Sequence, residues 1–125
     1  MSKAVDLDSK TINVTATVLE YAEITGDLSA MELAFSGAAN ESLSDTNIIH
    51  VETNCAATVS VTATPLTHMN GGTITTEVTI DGTSSIDVDV QHNGDHSVTI
   101  TGTTGAISAQ EAGEYGSVIT ITVAG

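Results

Sequence analysis

A chain of 125 residues is long enough for one domain with a real core, but with one Phe, two Tyr and no Trp that core must be built from aliphatic side chains. Val and Ile are abundant and Thr occupies 21 positions; these β-branched residues suit a pleated surface, so the composition argues an all-β protein. Sixteen acids face two lysines and no arginine, for a net charge of −14, which excludes nucleic acid as a partner, since nothing neutralises phosphates, and excludes docking on an anionic membrane surface.

The chain opens with "MSKAVDLDSK", which has no apolar core of the kind a secretory signal carries. No stretch reaches transmembrane length, so no membrane insertion is expected. The scarcity of cations and the Thr-rich strands fit an exported protein, and the expectation is a mature secreted or cell-surface chain whose signal has been removed. In "TINVTATVL", Ile12, Val14, Ala16 and Val18 alternate with Asn13, Thr15 and Thr17, the period of a half-buried strand. Val5 and Leu7 precede them with the same alternation. Two readings stand here: an ordinary first strand with a frayed lead, or a terminal strand donated to another subunit, with residues 1–10 as the donor. Under the second, Val5 and Leu7, then Ile12 and Val14, are the subunit-interface residues.

Residues 20–45 are less regular, with short strands expected near 21–24 and 31–36, the latter competing with a helical turn in "SAMELAF". Alternation then returns through Val59, Val61 and Ala63; Ile74, Val78 and Ile80; Ile86, Val88 and Val90; Val98 and Ile100; and finally Tyr115, Ile119, Ile121 and Val123. "DGTS" at 81–84 and "HNGD" at 92–95 read as tight hairpin turns, "THMNGG" at 67–72 as a longer connection, and "AQEAGEY" at 109–115 as an ordered loop or short helical turn. One apolar and one polar face per strand means antiparallel sheets with a single buried side. The expectation is a single domain over 1–125: an antiparallel β-sandwich, jelly-roll or Ig-like, of about seven to nine strands.

Few residues suggest chemistry. Asp87 and Asp89 lie two apart on one strand face, and Asp81 and Asp95 sit on adjacent turns; together they are a candidate calcium site, although the spacing is not that of an EF-hand. The competing reading is the solvated face of a sheet. His92 and His96 flank a turn, a spacing that implies no zinc site. Cys55 is alone, so no disulfide forms within the chain, and a small buried hydrophobe is its expected role, with a bridge between chains as the alternative. "NVT" at Asn13 and "NES" at Asn40 fit the glycosylation sequon. There is no nucleophile elbow, zinc-protease motif or phosphate loop, so no enzyme activity is expected and no cofactor is required.

The segments "NVTATVLEYAEI", "IIHVETNCAATVSVTATPL" and "AQEAGEYGSVITITVAG" resemble those of small secreted β-sandwich domains from prokaryotic cell surfaces. The whole strand pattern is similar to the subunits of archaeal bundling pili, bacterial biofilm-matrix fibres and archaeal cannulae. That resemblance implies a jelly-roll subunit that polymerises by passing an N-terminal strand into its neighbour's groove, with calcium at subunit junctions in the cannula group. The expected function is therefore a structural filament subunit whose partner is itself. The rival is a monomeric adhesin or carbohydrate-binding module of a surface protein, weakened by the near absence of aromatic platforms.

Overall fold

The computed structural model describes Val5 and Leu7–Gly125; the rest of the 1–10 leader, residues 1–4 and 6, lies outside the described residues. Nine strands follow in order: β1 (Ala22–Gly26), β2 (Ser42–Thr53), β3 (Ala57–Ala63), β4 (Leu66–His68), β5 (Thr73–Ile80), β6 (Ser85–Val88), β7 (Gly94–Thr103), β8 (Tyr115–Gly116) and β9 (Ile119–Ala124), with one 3-10 turn at Ile107–Ala109. They form two antiparallel sheets, β1-β2-β7-β5-β4-β8 and β6-β3-β9, the all-β sandwich that composition and alternation imply.

Three bent runs link the two sheets. β3 and β4 are a single chain run bent at Ala63–Leu66, where Pro65 withholds a ladder donor. β5 and β6 are another, bent at the Asp81-Gly82 turn, and β8 and β9 a third. Because β3 pairs with β9 and β6 while β4 pairs with β8 and β5, each bent run crosses from one sheet to the other beside its neighbour. The larger sheet is thereby curled into a half-barrel, with the three-stranded sheet as the second layer of the sandwich.

Asp81 and Gly82 both have positive φ, 49° and 82°, which is the geometry of a two-residue hairpin turn and the reason for an Asp-Gly pair. Ile80 and Thr83 exchange both backbone hydrogen bonds across it, at 2.7 and 2.9 Å. The second expected hairpin does not form. β6 and β7 lie in different sheets, and the turn at 92–95 carries the chain between them. Asp89 closes that crossing by accepting from the Gln91 N–H at 2.9 Å, so Val90 leaves the ladder and stays exposed.

Alternation supplies the core. Ile49 and Val51 from β2, Val59 and Val61 from β3, Ile80, Val88 and Val98 interlock between the sheets, and Ile49, Val51, Val59 and Ile80 are fully buried. Each contributes roughly 1.5–3 kcal/mol by removal from water. The opposite face is a threonine ladder: Thr46 pairs with Thr99 at 2.9 Å and Ser44 with Thr101 at 2.8 Å, hydroxyl to hydroxyl across β2 and β7.

Two expected strands are absent. Residues 31–36 alternate half-buried Met31, Leu33 and Phe35 with exposed neighbours, but join no ladder. Residues 11–19 keep strand-like alternation in sequence yet join no ladder among the described residues, where the first strand begins at Ala22. The contrast predicts that Ile49→Ala lowers stability by about 2–5 kcal/mol in urea denaturation. Ile12→Ala, in an undocked segment, is expected to stay within about 0.5 kcal/mol of the parent.

Candidate functional site

Each sheet has two outer strands: β1 and β8 in the larger, β6 and β9 in the smaller. β8 ends the order of the larger sheet and β9 that of the smaller, so the single run Tyr115–Ala124 is the free margin of both at once. Ile119, Ile121 and Val123 point from β9 toward the core but remain half-buried, because no strand covers them on that side. Among the described residues β9 has only β3 as a ladder partner.

Beside this margin runs a groove of about 1150 Å³. Its floor is Ile74, Val98 and Ile100; Ile119 and Ile121 line one wall, and Leu33 and Phe35 the other. Gly102 makes that far wall possible. A Cβ there would stand 3.0 Å from Phe35 Cζ and 3.2 Å from a methyl carbon of Leu33 and of Leu66, so the bare backbone of β7 lets these side chains close down on it. The wall segment is held by side chains instead of a ladder: Glu32 N–H donates to Asp45 at 3.2 Å, Asn47 Nδ2 to the Ser29 carbonyl at 2.9 Å, and Ser36 N–H to Glu41 at 2.8 Å.

At the opposite end of β9, Asn54 pins the start of the ordered chain. Its Oδ1 accepts from the Tyr21 N–H at 2.8 Å, its Nδ2 donates to the Leu19 carbonyl at 2.9 Å, and its N–H donates to the Tyr21 carbonyl at 3.1 Å. Beyond that clamp the chain is undocked. Val18, Val14 and Ile12 are 83 %, 88 % and 87 % exposed, and Leu7 and Val5 are 97 % and 71 % exposed. Among the described residues, hydrogen bonds within 7–18 are confined to Ser9 N–H and Lys10 Nζ on the Asp8 carboxylate. Five large apolar side chains in strand alternation thus stand in water on the molecule that carries the groove.

The four aspartates are not brought together. Asp87 accepts from Thr58 Oγ1 at 3.2 Å, Asp89 meets His92 Nδ1 at 2.7 Å, Asp81 meets His96 Nδ1 at 2.6 Å, and Asp95 meets His50 Nδ1 at 2.9 Å. Among the described residues no three His, Cys, Asp or Glu side chains converge as a metal site would need. The contacts are charge-assisted pairs between aspartates and histidines. The His92 hydrogen bond holds the Asp89 carboxyl below the usual range. At Asp81 partial burial works upward, but the Ser97 N–H and His96 together outweigh it and the net shift is down. His50 is raised, first by its hydrogen bond to Asp95 and then by that to Glu52. Cys55 is half-buried beside the Thr53 hydroxyl, at 3.3 Å.

The open margin and its groove left no mark in the strand pattern, because alternation is the same in a paired and an unpaired strand. The one local sign is Gly102, standing where the β7 alternation of Val98 and Ile100 calls for an apolar side chain. The fold and groove define an antiparallel β-sandwich with an incomplete sheet margin. No protein-family model matches the chain, and no curated protein matches it in sequence.

Because the folded pKa of His50 lies above the ordinary 6.5, its contribution to stability is fully present below pH 6.5 and is lost as pH rises through the folded value. NMR titration of the ring protons should therefore place His50 above 6.5, and Asp95→Asn should move it down. An unchanged midpoint in that variant would remove Asp95 as the cause.

Proposed function

We propose that this chain is the structural subunit of an extracellular filament and that it polymerises by donating its N-terminal strand to the open groove of the next subunit. One observation carries the reading: an undocked, alternating apolar segment and an uncovered sheet margin occur on the same molecule. Strand addition needs both. The margin offers unpaired backbone groups, and the groove offers room for alternate side chains. At about 1150 Å³ the groove exceeds the ~300–1,000 Å³ typical of small-molecule sites, and its lining joins the aliphatic Leu33, Ile74, Val98, Ile100, Ile119 and Ile121 to a polar rim that includes Asp27, Glu32 and Glu111, which gives room for the alternating apolar and polar side chains of a strand.

The energetics fit such an exchange. Each inserted Val or Ile gains roughly 1.5–3 kcal/mol, and each new backbone hydrogen bond about 0.5–1.5 kcal/mol net. Three large side chains and a row of such bonds are needed together against an association cost of ~4–15 kcal/mol. A contact made head to tail does not close on itself, so it propagates into a fibre. The net charge of −14 keeps finished fibres apart, and lateral bundling depends on screening.

Electron microscopy of the purified full chain tests this directly. The parent should form filaments that bundle more as salt or calcium is added. Ile12→Asp combined with Val14→Asp should leave the monomer's thermal unfolding unchanged and abolish filaments. Filaments that persist in the double variant would overturn the proposal, as would a parent that remains monomeric at every concentration.

A further inference from the structure

The direction in which a donated strand lies against β9 is decided by the geometry of a single subunit. The argument rests on the strand-donation reading above. β9 runs from Ile119, opposite Ala63, to Ala124, opposite Thr58. Its last residues lie at the end of the sandwich where Asn54 clamps Leu19 and Tyr21, and a Cβ on Gly125 would stand 2.6 Å from Glu20 Oε2. β1 enters the larger sheet at the same end, with Ala22 opposite Thr53, and runs inward from there. The chain before Tyr21 therefore leaves the molecule at the Asn54 end, and Val18 follows directly on the clamped Leu19 with no slack between them.

Three arrangements follow. If the segment folds back into its own groove, it enters at the Asn54 end, with Ile12 level with Ile119, Val14 with Ile121 and Ala16 with Val123. It then runs parallel to β9. If two subunits exchange segments reciprocally about a two-fold axis, their Asn54 ends must meet, and the strand again enters at the Asn54 end and lies parallel. Only when the next subunit is related by translation along the long axis does the strand enter at the Ile119 end. Val18 then sits level with Ile119, Ala16 with Ile121 and Val14 with Val123, and the strand runs antiparallel to β9. Strand polarity and closure are thus one variable: parallel gives a plugged monomer or a closed dimer, antiparallel gives an open chain.

We infer that the groove accepts residues 12–18 of a second copy antiparallel to β9, in that register, so that assembly is head to tail and open-ended. Two observations favour this polarity. Every ladder among the described residues is antiparallel, and parallel pairs are slightly weaker per residue. The groove is lined by Ile119 and Ile121 and not by Val123, so it lies toward the end at which a translated neighbour's strand arrives. The lengths suit insertion: seven donor residues span about 23 Å and the six of β9 about 20 Å at ~3.3 Å per residue. The segment is also suited to approach another copy. Between Ser9 and Leu19 it carries Lys10 and no acid, and Lys3 and Lys10 are the chain's only cations.

Cysteine cross-linking of the full chain in a Cys55→Ser background separates the possibilities, using outward positions of the donor (Asn13, Thr15, Thr17) and of β9 (Thr120, Thr122). Thr15→Cys with Thr122→Cys is blind to polarity and reports insertion itself; failure to cross-link there would overturn the strand-donation reading. Thr17→Cys with Thr120→Cys should give a ladder of covalent oligomers on a non-reducing gel, while Asn13→Cys with Thr120→Cys should give none. The reverse result, ending at monomer or dimer, would overturn the polarity and leave insertion standing. Equal yields from the two pairs would overturn the register.

Discussion

Backbone N–H and C=O groups at the margin of a sheet must find partners, and in this fold the run from Tyr115 to Ala124 lies at the margin of both sheets, as β1 and β6 do on the other side. The state of the neighbouring side chains goes with that position. Ile119, Ile121 and Val123 have the alternation of core residues but are half-buried, and among the described residues no strand pairs with β9 beyond β3. Under the proposed assembly the groove beside them is the space a donated strand fills. Met31, Leu33 and Phe35 cover its far side through side-chain packing on Gly102 without supplying a ladder. They reduce the apolar surface in water and leave the backbone requirement unanswered.

The curl of the sheets places this margin. Three bent runs, β3–β4, β5–β6 and β8–β9, turn a flat meander into a half-barrel, and the last run is by its position in the chain the one with no successor to pair with. The same curl brings the C-terminal end of β9 next to the Asn54 clamp, where the leading segment departs, while the groove lies toward the Ile119 end. Under the proposed assembly the departure point of one subunit faces the Ile119 end of the next. The charge distribution is consistent with this division of labour. From Thr11 onward the chain has acids and no cation, so subunit surfaces repel except where the leading segment is involved.

Much of the fold was legible residue by residue. β-branched composition with period-two alternation identified the inward positions of β3, β5, β7 and β9, and Asp81-Gly82 identified its own turn because only a few residue types accept two successive positive φ values. The turn at 92–95 was misread as a hairpin: a Gly and an Asn specify that the chain reverses, but not that the strands on either side share a sheet. The stretch 31–36 was read as a strand rather than a helical turn because Gly and Ser break both its ends; burial does alternate through Met31, Leu33 and Phe35, but β2 offers the stretch only side-chain contacts and no ladder. The four aspartates looked like a set in sequence and are four separate partners in space, three of them paired with histidines 3, 15 and 45 residues away.

The sequence by itself determined the class of fold, the inward side of β3, β5, β7 and β9, and the presence of a leading segment patterned like a strand. These are local properties, set by the stiffness of Val, Ile and Thr and by a period of two. Only the tertiary structure decided that β2 supplies Ile49 and Val51 to the core, that the described residues of the leading segment join no ladder, and that a groove lies between β9 and Leu33. Pairing is a relation between distant parts of a chain, and an alternating strand carries the same pattern whether a neighbour lies beside it or not.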